Sequence, residues 1–348
     1  MRARGRSHRA RLSGYDIKRE EPPIKELYRL PFDQFQRYRL AAEAVPLLEG
    51  DGPRLAALEV GGRPPTLELF LPEHQITYVD LAPAPGCVMA RGAELPFADR
   101  SFGLVISLDT LEHLPGSERE RFICELCRVS SNSVILGAPF FSEAVKSADR
   151  AVFEFIRSHA GYEHEFLKEH LELELPDLMN TLTTLAGQGL DVQVLPSGRL
   201  DRWLLMMVAY YTLDADPALK DSLPRFMEAY NRAFYDFDKA EPAYRHLLVG
   251  ARAGIGDRWS KLAGLASGEA AEKADFRALA LVLELARTLA LKQKDQQREA
   301  LIAELVQKDE ELTALTEEAV ALREFMRKVK SLPLYRLYEK ILKPRRPQ

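Results

Sequence analysis

Short apolar runs alternate with longer segments of helical periodicity over the first two thirds of the chain. The segment 32–48, for example, carries apolar residues at the three-to-four-residue spacing of one helix face. This alternation is typical of βα units, so the sequence predicts an α/β fold with a mainly parallel sheet. The predicted strands are Leu55–Val60, Ile76–Val79, Leu104–Leu108, Ser133–Leu136, Leu190–Leu195 and His246–Gly250.

The remaining pattern divides the chain into further parts. The N-terminus is rich in arginine and poor in apolar residues, which is typical of a flexible arm. The segment between the last two predicted strands reads as helical, and no strand signal follows residue 251. The predicted parts are a basic arm at 1–30, a main domain at 31–255 with a helical insertion at about 200–243, a helical linker at 256–290, a coiled coil at 291–330 and a basic amphipathic tail at 331–348.

A heptad pattern runs through the C-terminal helical region. Its core positions are alternately four and three residues apart, which predicts a coiled coil and a homo-oligomer formed through residues 298–329. A single amphipathic helix packed on its own domain is the alternative. The core positions are Leu301, Leu305, Lys308, Leu312, Leu315, Ala319, Leu322, Met326 and Val329.

The segment 331–346 predicts a short helix with one apolar face and several basic residues. Such a helix suits an anionic membrane surface or a groove on a partner protein. A terminal helix docked on the same chain is a third alternative.

The overall charge and the cysteines restrict the class of partner and the compartment. There are 48 Lys and Arg against 52 Asp and Glu, a net charge of -4, so nucleic acid is not an expected partner. The 3 cysteines do not form a disulfide framework, which predicts a cytoplasmic protein, with the inner face of the membrane as an added location. The apolar run 203–213 is shorter than the roughly 20 residues of a membrane span.

Two predicted strands end in an acidic residue beside a turn suited to a nucleotide. The segment Leu58–Gly62 contains the end of one strand, with Glu59, and the glycine turn that follows it. The next strand ends in Asp80. A carboxylate at a strand tip next to a glycine-rich turn is placed to accept both hydroxyls of a ribose. The sequence therefore predicts a site for an adenosine-containing ligand.

The segment that follows carries two short motifs, Leu95-Pro96-Phe97 and Leu111-Glu112-His113-Leu114. In this order and spacing they resemble class I S-adenosylmethionine-dependent methyltransferases, in particular the subgroup related to ubiquinone and menaquinone biosynthesis. The resemblance covers residues 55–140 well. It implies a Rossmann-like class I methyltransferase sheet with helices on both faces, and S-adenosylmethionine as the cofactor.

The resemblance also implies roles for individual residues. His113 would contact the substrate or serve as the catalytic base; a histidine that packs beneath the site is the alternative. The implied cofactor-binding residues are Glu59, Gly61 and Gly62 at the methionine end, Asp80 at the ribose, Leu81, Ala93 and Glu94 around the adenine, and Leu108, with Asp109 after it, beneath the sulfonium.

Four positions depart from the family pattern. Arg63 and Pro65 stand where the glycine turn has further glycines, and Gly103 replaces an aspartate. Arg91 replaces the acid that accepts the adenine amino group, and a guanidinium group has only donors. A relative that does not bind the cofactor is therefore the alternative.

A charged segment downstream contains His164, Glu165, Glu169 and His170. A metal site needs three or more converging ligands, so this segment is predicted to be a charged helix face near the pocket and no metal ligand is predicted.

This segment, the helical insertion and the coil together resemble methyltransferase modules linked to bacterial surface-polysaccharide glycosyltransferases. The resemblance implies methyl transfer to a hydroxyl or carboxylate of a glycan or another small molecule of the cell envelope. The alternative is a non-catalytic scaffold that acts through the coil and the basic tail in envelope polysaccharide assembly.

Overall fold

The computed structural model describes residues 24–252, 254–266 and 276–331. The chain forms two compact units, Met1–Ala274 and Asp275–Gln348. The first unit contains one seven-stranded sheet. Its strands are β1 (Ala57–Val60), β2 (Ile76–Asp80), β3 (Cys87–Met89), β4 (Phe102–Leu108), β5 (Ser130–Pro139), β6 (Asp191–Arg199) and β7 (Ala243–Ala251).

The sheet is mostly parallel, with the order β3-β2-β1-β4-β5-β7-β6. Strand β7 runs antiparallel to both of its neighbours, β5 and β6. The chain moves outward from β1 through β2 to β3, and then returns to the other side of β1 to form β4. The predicted fold class, a Rossmann-like sheet of the class I methyltransferase type, is confirmed.

Helices cover both faces of the sheet. The helices of the first unit are α1 (Ile24–Leu27), α2 (Phe32–Glu49), α3 (Thr66–Phe70), α4 (Gly116–Val129), α5 (Glu143–His159), α6 (Glu165–Leu173), α7 (Leu178–Gly187), α8 (Leu200–Ala215), α9 (Pro217–Lys220), α10 (Leu223–Phe234) and α11 (Arg258–Gly264), with short 3-10 helices at Leu111–His113 and Tyr235–Asp238. The second unit contains α12 (Phe276–Ser331).

Strand β4 shows how the apolar residues divide between the two faces. Successive side chains of a strand point to opposite faces, so Leu104 and Ile106 pack on one side and Val105 on the other. The first side is covered by α2 and α11, and the second by α4 and α7. The sheet is therefore buried on both faces, as expected for parallel strands.

Some boundaries differ from the sequence predictions. The first strand begins at Ala57 rather than Leu55, and the short edge strand β3 was not predicted because its apolar run is only three residues long. The sequence pattern predicts one helical stretch over Glu165–Ala186, but the structure has two helices there, α6 and α7. Glu174 adopts a positive φ of 57° and Pro176 cannot continue a helix, so α6 ends before them.

The ends of the chain also differ from the predicted boundaries. Helix α1 lies within the predicted basic arm, and Arg29 bonds Glu228 of α10 at 3.0 Å, so the main domain begins before residue 31. Helix α12 passes residue 290 without a break. The tail prediction, apart from Ser331, lies outside the described residues, as does the arm before residue 24.

Helices α8 to α10 lie between β6 and β7, where the sequence predicts a helical insertion. Trp203 of α8 is buried and stacks on Tyr244 of β7, with 3.5 Å between ring centroids. The insertion therefore packs directly on the antiparallel strand. Across the described ranges of the chain, every helix is too short or too polar to cross a membrane.

Candidate active site

A cavity of about 880 Å³ lies at the carboxyl ends of the parallel strands. Its walls include the turn after β1, the end of β2 and the segment that follows β4. In open α/β sheets this edge, at the point where the strand order reverses, is where ligands bind. The reversal here falls between β1 and β4. The volume is within the range of small-molecule sites.

Seven of the nine residues proposed from the sequence line this cavity: Gly61, Gly62, Asp80, Leu81, Ala93, Leu108 and His113. Glu59 is buried beneath the glycine turn instead of lining the cavity. Glu94 is also not part of the wall; its exposed side chain lies 4.0 Å from Arg121. The structure thus brings most of the predicted set to one place and leaves the two glutamates outside it.

The turn after β1 requires glycine at two positions. Gly61 has a φ of 85°, and a Cβ there would lie 2.1 Å from Thr110 Oγ1. A Cβ on Gly62 would lie 2.1 Å from Glu59 Oε1. Glycine is therefore required at these two residues by the packing of Thr110 and Glu59 against the turn, whereas the departures at Arg63 and Pro65 fall just beyond them.

Glu59 supports the turn from below. Its Oε1 accepts a hydrogen bond of 2.6 Å from the Tyr38 hydroxyl, and its Oε2 is buried with no partner among the described residues. Burial raises the pKa of Glu59 to about 7, although the Tyr38 hydrogen bond and the Arg37 charge act in the opposite direction. The group therefore changes charge near neutral pH.

We expect Glu59→Gln to flatten the pH dependence of stability between about pH 4.5 and 7. The folded state binds the Glu59 proton more tightly than the unfolded state, so this group stabilises the fold below its unfolded pKa and that stabilisation is lost as the pH rises through 7. The loss is about 3 kcal/mol for a shift of this size. Urea unfolding at pH 5 and pH 8 measures it, with the exposed Glu94→Gln as control; equal pH dependence in wild type and Glu59→Gln would contradict the assignment.

Asp80 lies at the cavity wall and already has two partners. The Arg63 Nε donates to its Oδ2 at 3.2 Å, and the Ala82 backbone nitrogen donates to its Oδ1 at 2.7 Å. Each carboxylate oxygen can accept a further hydrogen bond, so Asp80 retains capacity for a ligand. Arg63, which is 56% exposed, therefore sits beside the predicted ribose position.

Arg91 lines the cavity, but its charge is paired. Its Nη2 lies 2.8 and 2.9 Å from the two carboxylate oxygens of Glu118, which belongs to α4. Glu118 also lines the cavity and supplies an acceptor group at the wall where Arg91 supplies only donors. The sequence did not indicate this residue, because it lies 27 positions away.

Four charged side chains from three elements form a network in the floor of the cavity. Asp33 and Arg37 come from α2, Asp109 follows β4, and Arg245 comes from β7. Both arginines bond Asp109 and Asp33, with Arg245 Nη2 at 2.9 Å and Arg37 Nη1 at 3.1 Å from the Asp33 carboxylate. Burial alone would raise the pKa of Asp109, but the charges of Arg245 and Arg37 outweigh it and lower the pKa to about 2.

His113 lies in the 3-10 helix after β4 and contacts Phe166, Glu169 and His170 of α6. Its Nδ1 lies 2.8 Å from Glu169 Oε2, and its ring centroid lies 5.0 Å from that of His170. Burial lowers the pKa of His113, and the neighbouring His170 lowers it further. Neutral His113 can therefore accept a proton at its other nitrogen.

The charged face of α6 lies near the cavity, as predicted, but one of its members is buried. His170 is 8% exposed and Glu169 faces the cavity, because α6 packs against the 3-10 helix that carries His113. The charged side chains of α6 that are exposed to solvent are Glu165, Lys168 and Glu172.

Residues 68–136 match the family model of a methyltransferase domain. No curated protein matches the chain. One similar solved structure is the YcgJ protein of Bacillus subtilis, with 15% identity over 63% of this chain and 100% of that chain and a TM-score of 0.36. Another is the magnesium protoporphyrin IX methyltransferase of Synechocystis PCC 6803 with bound SAH, with 13% identity over 64% of this chain and 86% of that chain and a TM-score of 0.36.

The domain match supports a class I methyltransferase with S-adenosylmethionine as its cofactor. The matched segment includes Asp80 and the 3-10 helix of His113. The cavity also fits this cofactor, because the backbone of the glycine turn lines it and Asp80 offers a carboxylate at the strand tip. Methyl transfer from S-adenosylmethionine is thus the general activity that the site supports.

Proposed function

We propose that the protein transfers the methyl group of S-adenosylmethionine to a hydroxyl or carboxylate oxygen of a glycan or another small molecule of the cell envelope. The observation that carries the proposal is one continuous cavity with two chemically different ends. The glycine turn and Asp80 lie at one end, and His113 and Arg245 lie at the other. The first end suits the cofactor, and the second suits a polar acceptor.

The sulfonium group of the bound cofactor supplies an electrophilic methyl group, so the protein mainly has to position the acceptor. Leu108 at the end of β4 lines the cavity, and β4 lies in the sheet between β1, which leads into the glycine turn, and β7, which carries Arg245. Glu169 fixes the ring of His113 through Nδ1, which leaves Nε2 to take the proton of an acceptor hydroxyl. A carboxylate acceptor would need no base.

Aromatic side chains at the acceptor end favour a sugar over a small ion. Phe166, which is 59% exposed and lies beside His113, and the partly exposed Tyr211 line this part of the cavity. Such rings offer flat apolar surfaces, to which the tyrosine adds a polar edge, and these suit a glycan ring. An envelope acceptor would place the protein at the inner face of the membrane. The basic tail that could contact the membrane surface lies, apart from Ser331, outside the described residues.

Transfer of labelled methyl groups tests the proposal. The full chain would be incubated with methyl-labelled S-adenosylmethionine and either a uronic-acid oligosaccharide or its carboxyl-reduced form. We expect label in at least one acceptor, and we expect His113→Gln to reduce transfer to a hydroxyl about 100-fold while the demethylated product S-adenosylhomocysteine still binds. If the wild type binds the cofactor but labels neither oligosaccharide, this acceptor class is wrong.

A second candidate function is a scaffold that assembles through α12. Four leucines at predicted core positions, Leu305, Leu312, Leu315 and Leu322, are each 58% exposed or more in the single chain. Four-three spacing of such residues is the pattern that buries them between helices. We propose that a second copy of this chain covers them.

Light scattering of the full chain tests this pairing. We expect an oligomer for the wild type and a monomer for Leu312→Lys with Leu315→Lys, because lysine side chains at two core positions would have to lose their water. The matched control is Thr313→Lys with Ala314→Lys, which adds the same charge on the outer side of the heptad. A wild type that stays monomeric at high concentration would contradict the coiled coil.

A further inference from the structure

Three side chains from two elements converge at the acceptor end of the cavity. Glu112 and His113 belong to the 3-10 helix after β4, and His170 belongs to α6. One potential ligand atom from each residue lies within 4.8 Å of those from the other two. Because the two elements are 57 residues apart in sequence and meet only through packing, the local sequence patterns did not reveal this group.

Two of these side chains are buried with a polar atom that has no partner. Glu112 is 1% exposed, and its Oε2 has no hydrogen-bond partner among the described residues. His170 is 8% exposed, and its Nε2 is likewise without one. Leaving such atoms unpaired destabilises the folded protein, so a group that binds both would stabilise the site.

The Nδ1 atom of each histidine contacts a carboxylate, which fixes the orientation of the ring. His170 Nδ1 lies 3.1 Å from Asp149 Oδ2, and the other oxygen of Asp149 accepts a 2.8 Å bond from the Tyr244 hydroxyl. His113 Nδ1 lies 2.8 Å from Glu169 Oε2. A carboxylate can only accept, so Nδ1 carries the hydrogen in both rings and Nε2 keeps its lone pair. This carboxylate–histidine arrangement is typical of metal ligands.

We propose that Glu112, His113 and His170 bind one divalent first-row transition-metal ion. Two imidazole nitrogens and one carboxylate oxygen on one side of an ion leave positions open for other ligands. The nitrogen ligands select against Mg²⁺, which takes oxygen ligands almost alone. His113 Nε2 and Glu112 Oε1 are 4.0 Å apart, so a small movement of His113, which is partly exposed, brings both into a first coordination shell.

The proposed ion faces the cavity, since all three ligands line it. An acceptor oxygen would therefore occupy an open coordination position, and with the ion bound the metal would replace His113 in activating a hydroxyl, because a coordinated Nε2 has no lone pair left to accept a proton. This consequence rests on the proposed function, whereas the metal site itself does not. Binding of the ion is accordingly measured in the absence of cofactor and acceptor.

Titration of the chelator-treated full chain with Co²⁺, followed by its visible absorption and by calorimetry, tests the site. We expect one high-affinity ion per chain that Zn²⁺ displaces and excess Mg²⁺ does not. We expect His113→Gln and Glu112→Gln each to weaken Co²⁺ binding by at least tenfold, and Glu169→Gln to weaken it about tenfold through the orientation of His113.

Matched controls separate the site from general surface binding. His159→Gln replaces an exposed histidine of α5, and Glu165→Gln replaces an outward carboxylate on the same helix as Glu169; both should bind Co²⁺ like the wild type. Thermal unfolding without metal checks that each variant is folded. Because His113 is partly exposed, His113→Gln is the substitution least expected to disturb the fold. The proposal is wrong if the wild type binds no ion or if His113→Gln and Glu112→Gln bind as tightly as the controls.

Titration of the same metal-free samples with S-adenosylhomocysteine separates this inference from the proposed function. Cofactor binding without Co²⁺ binding would overturn the metal site alone. Co²⁺ binding without cofactor binding would overturn the methyltransferase proposal alone and leave the metal site standing.

Discussion

Replacing Asp80 by alanine should lower the affinity for S-adenosylhomocysteine at least tenfold. A carboxylate that accepts the two ribose hydroxyls makes charge-assisted hydrogen bonds worth about 1.5 to 3 kcal/mol each, and 1.4 kcal/mol corresponds to a factor of ten. The structure places Asp80 at the cavity wall beside the glycine turn. Isothermal titration calorimetry of the full chain measures the change.

Two further variants separate the ribose contact from the other interactions of Asp80. Asp80→Asn keeps an oxygen for the Ala82 backbone nitrogen but loses the charge, so its affinity should fall between those of wild type and Asp80→Ala. Arg63→Ala removes the ion pair with Asp80 and should leave the affinity unchanged or raise it, because the carboxylate becomes freer. Equal affinity of wild type and folded Asp80→Ala would mean that the adenosine does not bind at this strand tip.

Replacing Arg245 by methionine should lower the free energy of unfolding by about 3 to 5 kcal/mol. Arg245 is almost fully buried and compensates the carboxylates of Asp33 and Asp109. Removing one partner of a buried ion pair leaves charge without compensation, which is more costly than the loss of the attraction itself. Urea denaturation at neutral pH, followed by circular dichroism, measures the effect.

A second substitution tests whether charge is the cause. Adding Asp109→Asn to Arg245→Met removes one uncompensated carboxylate and should recover part of the lost stability. Asparagine suits this position because the backbone there has a φ of 51°, which asparagine adopts more readily than most residues. A loss of less than about 1 kcal/mol in Arg245→Met, a magnitude typical of exposed ion pairs, would contradict a buried network.

The sheet was largely predictable because its signals are local. The central strands are apolar on both faces, so each reads as a short apolar run between turns, as in Leu104–Leu108. Strand β3 was missed since an edge strand with only one sheet neighbour needs little apolar sequence. The break between α6 and α7 was missed although Pro176 marks it, because the apolar spacing continues on both sides.

The cofactor end of the cavity was predictable from the resemblance in the glycine turn and at Asp80, both of which lie at strand ends. Apart from His113, the acceptor end was not predictable, because its residues come from distant parts of the chain. Asp33, Asp109 and Arg245 meet through packing of α2 and β7 against the end of β4, and no local pattern marks such a contact. The sequence indicated His170 only as part of a charged helix. Its burial could not be predicted, because burial depends on what the helix packs against.

Direct titration of the wild-type full chain with S-adenosylhomocysteine tests the central proposal most directly, because it requires no knowledge of the acceptor. We expect one molecule bound per chain, competition by S-adenosylmethionine, and a rise in the unfolding temperature with ligand concentration, since a ligand that binds only the folded state stabilises it. Absence of both heat of binding and thermal stabilisation at saturating ligand would contradict a cofactor site in this cavity and leave the scaffold as the remaining function.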